Sequence, residues 1–272
     1  MLSCPKMLVG FASLLIVAFP LLSPAQVGRS EQVQIKPPLI RTVDPPAKDA
    51  TITELEKRGD ELRSEKLFLD ALDYYDAALK KETKPARLLN KVGITELMMQ
   101  RYNEAKKSFE RSIKADHHFA DPCNNLGVVY YEQKKFGSAI KQYKKAIDLD
   151  DSSASFYSNL GAALFSKKQF DPAVRAYEKA MELDPDVFER TSRSGVQAQL
   201  PSPEDRARYD FTVARLYAKM GFSNRSLEYL KKAMEEGYKD FKDVYKDAEF
   251  ASLRKDKRFT ELMATKVPVL PE

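Results

Sequence analysis

Four glycines, Gly59, Gly93, Gly127 and Gly161, stand 34 residues apart in this 272-residue chain, and other residues keep step with them. An alanine follows each glycine twelve positions later (Ala71, Ala105, Ala139, Ala173), and an aromatic follows four positions after that (Tyr75, Phe109, Tyr143, Tyr177). A second aromatic row, Phe68, Tyr102, Phe136 and Phe170, precedes the alanines by three. Parallel ladders at one fixed period mark a repeat architecture, in which each unit buries its apolar face against its neighbours.

Within a period the apolar residues follow helical spacing, as in Leu126, Val129, Tyr130 and then Ala139, Ile140, Tyr143, Ile147. That spacing predicts two amphipathic helices joined by a short polar turn. Small residues let two antiparallel helices approach closely, and the aromatics fill the space between neighbouring hairpins.

These ladders resemble the tetratricopeptide repeat. The third unit matches through Leu126, Gly127, Tyr130, Ala139, Tyr143 and Ala146, and the fourth through Tyr157, Leu160, Gly161, Leu164, Ala173, Tyr177, Ala180 and Pro185. The first unit departs with Arg58 where Leu belongs, and the second with Glu96 at the tyrosine position and Ser112 at the final alanine. A weaker fifth unit is in register at Val213, Ala214, Tyr217, Ser226, Leu230 and Ala233. The resemblance implies an all-α, right-handed superhelical solenoid of helical hairpins, with four units over residues 52–185 and a degenerate fifth over 206–239.

The flanks are expected to differ. Lys6, the apolar run Met7 to Leu22 and then Ser23-Pro24-Ala25 have the order of a cleaved secretory signal over residues 1–25, which points to a periplasmic or secreted protein. The alternative is an inner-membrane anchor over residues 7–22, although the run holds 16 residues and Pro20, short of the ~20 that a spanning helix needs. Residues 26–50 carry Pro37, Pro38, Pro45 and Pro46 without apolar periodicity and read as a disordered tether. Residues 186–205 break the register and read as a loop insertion. It ends on Ser202-Pro203-Glu204-Asp205, the spelling of a helix N-cap. Residues 240–264 are expected to form capping helices: 247–263 resembles a closing segment of bacterial tetratricopeptide proteins through Leu253, Arg254, Asp256, Arg258 and Phe259, and Phe250, Leu253, Phe259 and Leu262 can cover the last hairpin.

No catalytic constellation is present in the sequence, so no enzyme and no cofactor is expected. The two histidines, His117 and His118, are adjacent in an inter-unit turn, which predicts a solvated turn and no metal site. The net charge of +5 is small and its lysines alternate with glutamates; the runs Lys231-Lys232 and Lys255 to Arg258 are short, so no nucleic-acid partner is expected. Cys123 would be alone once the leader is gone and reads as a small buried apolar side chain. A membrane is expected to be touched only through an uncleaved leader.

Function therefore falls to a surface. The resemblance implies that the first helices line a concave groove, with the second, fifth, ninth and twelfth places of each unit facing a bound segment. Here the first unit supplies charge through Glu56, Asp60 and Arg63. The expected partner-binding residues are Arg87, Asn90, Ile94 and Leu97, then Asn124, Val128 and Tyr131, then Ser158, Ala162 and Phe165. The other reading is that some of these pack against the neighbouring helix. The two-carboxylate clamp of chaperone-tail binders is absent, since Glu56, Asp60, Asp121 and Asn125 stand where it needs cations and amides. The expected role is a protein-interaction scaffold in the periplasm or envelope; the alternative is a structural subunit of an envelope or secretion assembly.

Overall fold

Each 34-residue period is built as a pair of antiparallel helices, and the pairs stack along a line. A computed structural model describes residues 41–188 and 202–265; the leader, residues 26–40 of the expected tether and most of the insertion (189–201) lie outside them. The first hairpin is α1 (Ile52–Ser64) and α2 (Phe68–Leu79), and the second is α3 (Ala86–Met98) and α4 (Tyr102–Ala115). The third is α5 (Asp121–Glu132) and α6 (Phe136–Leu149), and the fourth is α7 (Ala154–Ser166) and α8 (Phe170–Leu183). A fifth, α9 (Pro203–Lys219) and α10 (Ser223–Glu235), follows the insertion, and α11 (Lys257–Ala264) ends the described chain. The architecture is the all-α solenoid of helical hairpins, with no strand among the described residues.

The ladders are explained by contact. A Cβ on Gly127 would lie 2.5 Å from the Tyr143 ring and one on Gly161 2.5 Å from that of Tyr177, so the aromatic of each of these second helices packs against the glycine of its own first helix and not only between hairpins. The fifth hairpin changes both partners together: Ala214 replaces the glycine, the shorter Leu230 replaces the ring, and both are buried. The polar departures are satisfied where they occur. Ser108 donates to Glu96 at 2.6 Å, and the buried Ser112 hydroxyl donates to the Ala86 carbonyl at 2.6 Å. Arg58, in the outermost unit, is half-exposed and pairs with Glu61 at 2.9 Å.

The turn inside each hairpin also repeats. The first helix of the third hairpin ends with the Lys135 N–H donating to the Tyr130 carbonyl and the Lys134 N–H to that of Tyr131. This is the Schellman geometry, which needs a left-handed residue. Lys66, Gln100, Lys134 and Lys168 occupy it at φ of 65°, 60°, 58° and 60°, and only the fifth hairpin uses a glycine, Gly221.

Both ends are closed, and both differ from expectation. Residues 41–50, expected as part of a disordered tether, lie along α2. The backbone N–H groups of Thr42 and Val43 donate to the buried Asp70 carboxylate at 3.1–3.2 Å, Arg41 pairs with Asp73, and Lys81 donates to the Lys48 carbonyl. Apart from one internal bond, from the Ala50 N–H to the Ala47 carbonyl, the segment is thus satisfied by side chains of the first hairpin. At the other end, capping helices were expected over 240–264, but only α11 is α-helical; three 3₁₀ turns (Phe241–Tyr245, Ala248–Phe250, Leu253–Lys255) precede it. Arg254 ties these turns together by donating to the carbonyls of Val244 and Asp247 at 3.0 and 2.9 Å. Phe250, Leu253 and Phe259 are buried, with Phe250 5.6 Å from the Phe211 ring of α9.

α9 starts as its sequence spells: the Ser202 hydroxyl accepts from the Asp205 N–H, with Pro203 at the first helical place. Aromatic side chains carry its junction with the fourth hairpin. Tyr209 meets Phe165 at 5.7 Å and Tyr177 at 5.8 Å, and Phe188 sits between Tyr177 and Tyr217. Arg225 of α10 reaches back to the Pro185 carbonyl and the Asp186 carboxylate, packed over Tyr217 and Phe222.

Candidate protein-interaction groove

The first helices α3, α5 and α7 lie side by side, and the expected binding residues fall into three environments on them. Arg87 is exposed and joins a charged network at the start of the groove. Its Nη2 donates to Glu56 at 2.6 Å, Lys91 pairs with Glu56 at 2.6 Å and with Asp60, and Tyr75 donates to Asp60 at 2.6 Å. Burial works against the Asp60 charge, but the bonds from Lys91 and Tyr75 outweigh it and hold the carboxyl below its ordinary range.

The asparagines form the second environment, an amide ladder that crosses three hairpins. Asn159 donates to Asn124 at 2.8 Å, Asn124 to Asn125 at 3.2 Å, and Asn125 to Asn90 at 3.0 Å. Asn90 and Asn124, expected to face a bound segment, are instead buried, and each meets a side-chain amide of the next hairpin. Asn125 and Asn159 were not expected at the site; an Asn one place after or before another in successive units is the signal that could have revealed them.

Apolar residues form the third. Ile94, Leu97 and Val128 are half-buried, and Ser158 is half-exposed among them. Met98, beside Leu97, is 49% exposed. The expected anchors at the far end are not on the surface. Tyr131 is fully buried, its hydroxyl 2.9 Å from Ser166 and its ring 5.2 Å from Phe136. Phe165 is 2% exposed between Phe170 and Tyr209, and Ala162 is 2% exposed. The physical reason is the stacking itself: at this place the last turn of a first helix meets the opening of its own second helix and the next hairpin, which cover the aromatic rings of Tyr131 and Phe165, while Leu97 at the same place in the second unit is only half-buried. Of the ten expected residues, Arg87, Ile94, Leu97, Val128 and Ser158 keep accessible surface.

Elsewhere, His117 and His118 are exposed, Cys123 is buried with its thiol pushed up by that burial, and no three metal-ligating side chains converge among the described residues. No described helix is long and apolar enough to cross a membrane.

Comparison with known families bears on the third and fourth hairpins. A TPR repeat pattern matches residues 129–167, and a tetratricopeptide repeat pattern matches 154–187. Residues 129–187 carry tetratricopeptide repeats. The chain is similar to a chloroplastic protein of Arabidopsis thaliana, 35% identical over 63 residues, which is 23% of this chain and 19% of that protein. It also resembles the crystal structure of MamA (24% identity, 69% of this chain and 96% of that one, TM-score 0.46). YrrB, described as a TPR protein with an unusual peptide-binding site, is 22% identical, with 76% of this chain and 92% of that one covered and a TM-score of 0.45. Tetratricopeptide repeats are protein-interaction modules, generally without catalytic activity.

Proposed function

We propose that this protein is a non-enzymatic scaffold of the periplasm or cell envelope that holds an extended segment of a partner protein along its first-helix face. The observation that carries the reading is the half-buried row of Ile94, Leu97 and Val128, with exposed Met98 at its edge, lying beside an amide ladder and a charged end at Arg87. Apolar side chains left open between polar borders mark partner sites. The location rests on the leader sequence, and N-terminal sequencing of the native protein should find it beginning near Gln26. The groove is tested by affinity purification with Leu97→Glu and Val128→Glu together. The expected result is loss of a stoichiometric partner with helical content unchanged; a partner retained at full yield would move the site off this face.

A further inference from the structure

The outward faces of the second helices are not alike. On α4, Lys107, Arg111 and Lys114 share the side opposite the buried Ala105, Phe109 and Ser112. On α6, Lys141, Lys144 and Lys145 lie away from the buried Ala139, Tyr143 and Ala146. Lys134 and Lys135 extend this group at the turn before α6, and residues 133–147 contain no acid. All eight cations are exposed, and none has an ion-pair partner among the described residues. The neighbouring helices are different: α8 pairs Lys179 with Glu182 and Glu178 with Lys219, α10 pairs Lys232 with Glu228, and on α2 Asp73 takes Arg41. On α4 the cations stand near Glu104, Glu110, which pairs with Lys106 at 3.7 Å, and Asp76 of α2, which Arg111 faces; the acid-free part of the face is Lys134, Lys135, Lys141, Lys144 and Lys145 of the third hairpin.

We propose that this outward face of α4 and α6 docks the protein on an anionic lipid surface. Its chemistry separates that occupant from a protein one. Protein interfaces are depleted in Lys and centred on aromatic and Arg anchors, whereas seven of these eight cations are lysines and none of the exposed large apolar residues (Met98, Leu183, Met220, Phe222, Tyr245) belongs to α4 or α6. A diffuse set of flexible ammonium groups on a smooth face suits a surface of many headgroup charges, where each Lys or Arg adds to the binding without a shaped pocket. The inference is independent of the groove, because these residues are on the second helices and the groove is on the first.

The test is co-sedimentation of the full chain with vesicles of phosphatidylcholine alone and with about 30% phosphatidylglycerol. The leader, with Lys6 beside its apolar run, is common to every variant, so the change in the ratio of the two partition coefficients between variants reports the face. The expected ratio is about tenfold or more at low salt, falling towards one when salt is raised to about 0.5 M. Changing Lys107→Gln, Arg111→Gln, Lys141→Gln and Lys145→Gln together should abolish the preference, while Lys179→Gln, Lys231→Gln, Lys232→Gln and Lys257→Gln, which remove the same charge from paired positions, should preserve it. A ratio near one for the unaltered chain, or equal loss in both variants, overturns the proposal. So does tighter direct binding, at matched charge and salt, to a DNA duplex or a polyglutamate peptide than to the anionic vesicles, which would assign the face to nucleic acid or to an acidic protein.

Discussion

At the scale of single residues, the glycine of each unit is required by the ring opposite it. A methyl group on Gly161 would meet the Tyr177 ring at 2.5 Å, so one of them has to move. Gly161→Ala is expected to cost about 1–3 kcal/mol, the range for overpacking a filled core, read as a lower urea midpoint. Adding Tyr177→Leu should recover part of that loss, because Ala214 and Leu230 already form this pair in the fifth hairpin. A double-mutant cycle that came out additive would show that the contact is not the constraint. The hydroxyls of Tyr143 and Tyr177 are buried without a hydrogen-bond partner among the described residues, whereas that of Tyr75 donates to Asp60. The difference follows from the groove residue nearby in each unit, which is Asp60 in the first and Val128 and Ala162 in the third and fourth. The rings were recognisable as packing from their period; the fate of their polar tips was not.

At the scale of elements, the fifth hairpin carries a carboxylate, Asp210, where the earlier units carry Leu55, Leu89, Cys123 and Tyr157. Asp210 lies half-buried on α9, and burial pushes its carboxyl up to about 7, opposed by Lys232 and Arg206 and assisted by Glu236. Its folded value is above the ~3.9 of an ordinary Asp, so the fold favours the neutral form. That contribution is complete below the ordinary value and is lost as the pH rises through about 7. Asp210→Asn is therefore expected to stabilise the protein by about 1–3 kcal/mol near pH 8 and to change little near pH 4, as followed by thermal melting at the two pH values. A gain of equal size at both would mean that the carboxylate charge is not what the hairpin resists. α9 itself was legible from its cap and its register. The strap over residues 41–50 was not, because its hydrogen bonds come from Asp70, Asp73 and Lys81, distant in sequence.

At the scale of the molecule, one apolar core runs from Tyr131 in the third hairpin to Phe259 in the closing segment, passing through the junction of the fourth and fifth hairpins. Phe188, Tyr209 and Arg225 hold that junction without any need for the covalent link beyond residue 188. A protease site placed between Ser194 and Gly195 should therefore yield two fragments that stay together on size exclusion after cleavage. Separation of the fragments in native buffer would show that the insertion, and not the aromatic contacts, joins the two parts.

What the sequence determined by itself was whatever repeats within a single hairpin: the period, the two helices and the order of units. These depend on neighbours in the chain, and a ladder of small and aromatic residues records them directly. What only the tertiary structure decided was which side chains of the first helices remain open. Tyr131 and Phe165 occupy places that a single unit would leave exposed, and the next turn and the next hairpin cover them. The asparagines are similar: each is polar and surface-like alone, and is buried only because the adjacent hairpin brings a second amide to hydrogen-bond it. Exposure is a property of the stack, and stacking is the one interaction that a unit's own residues do not specify alone.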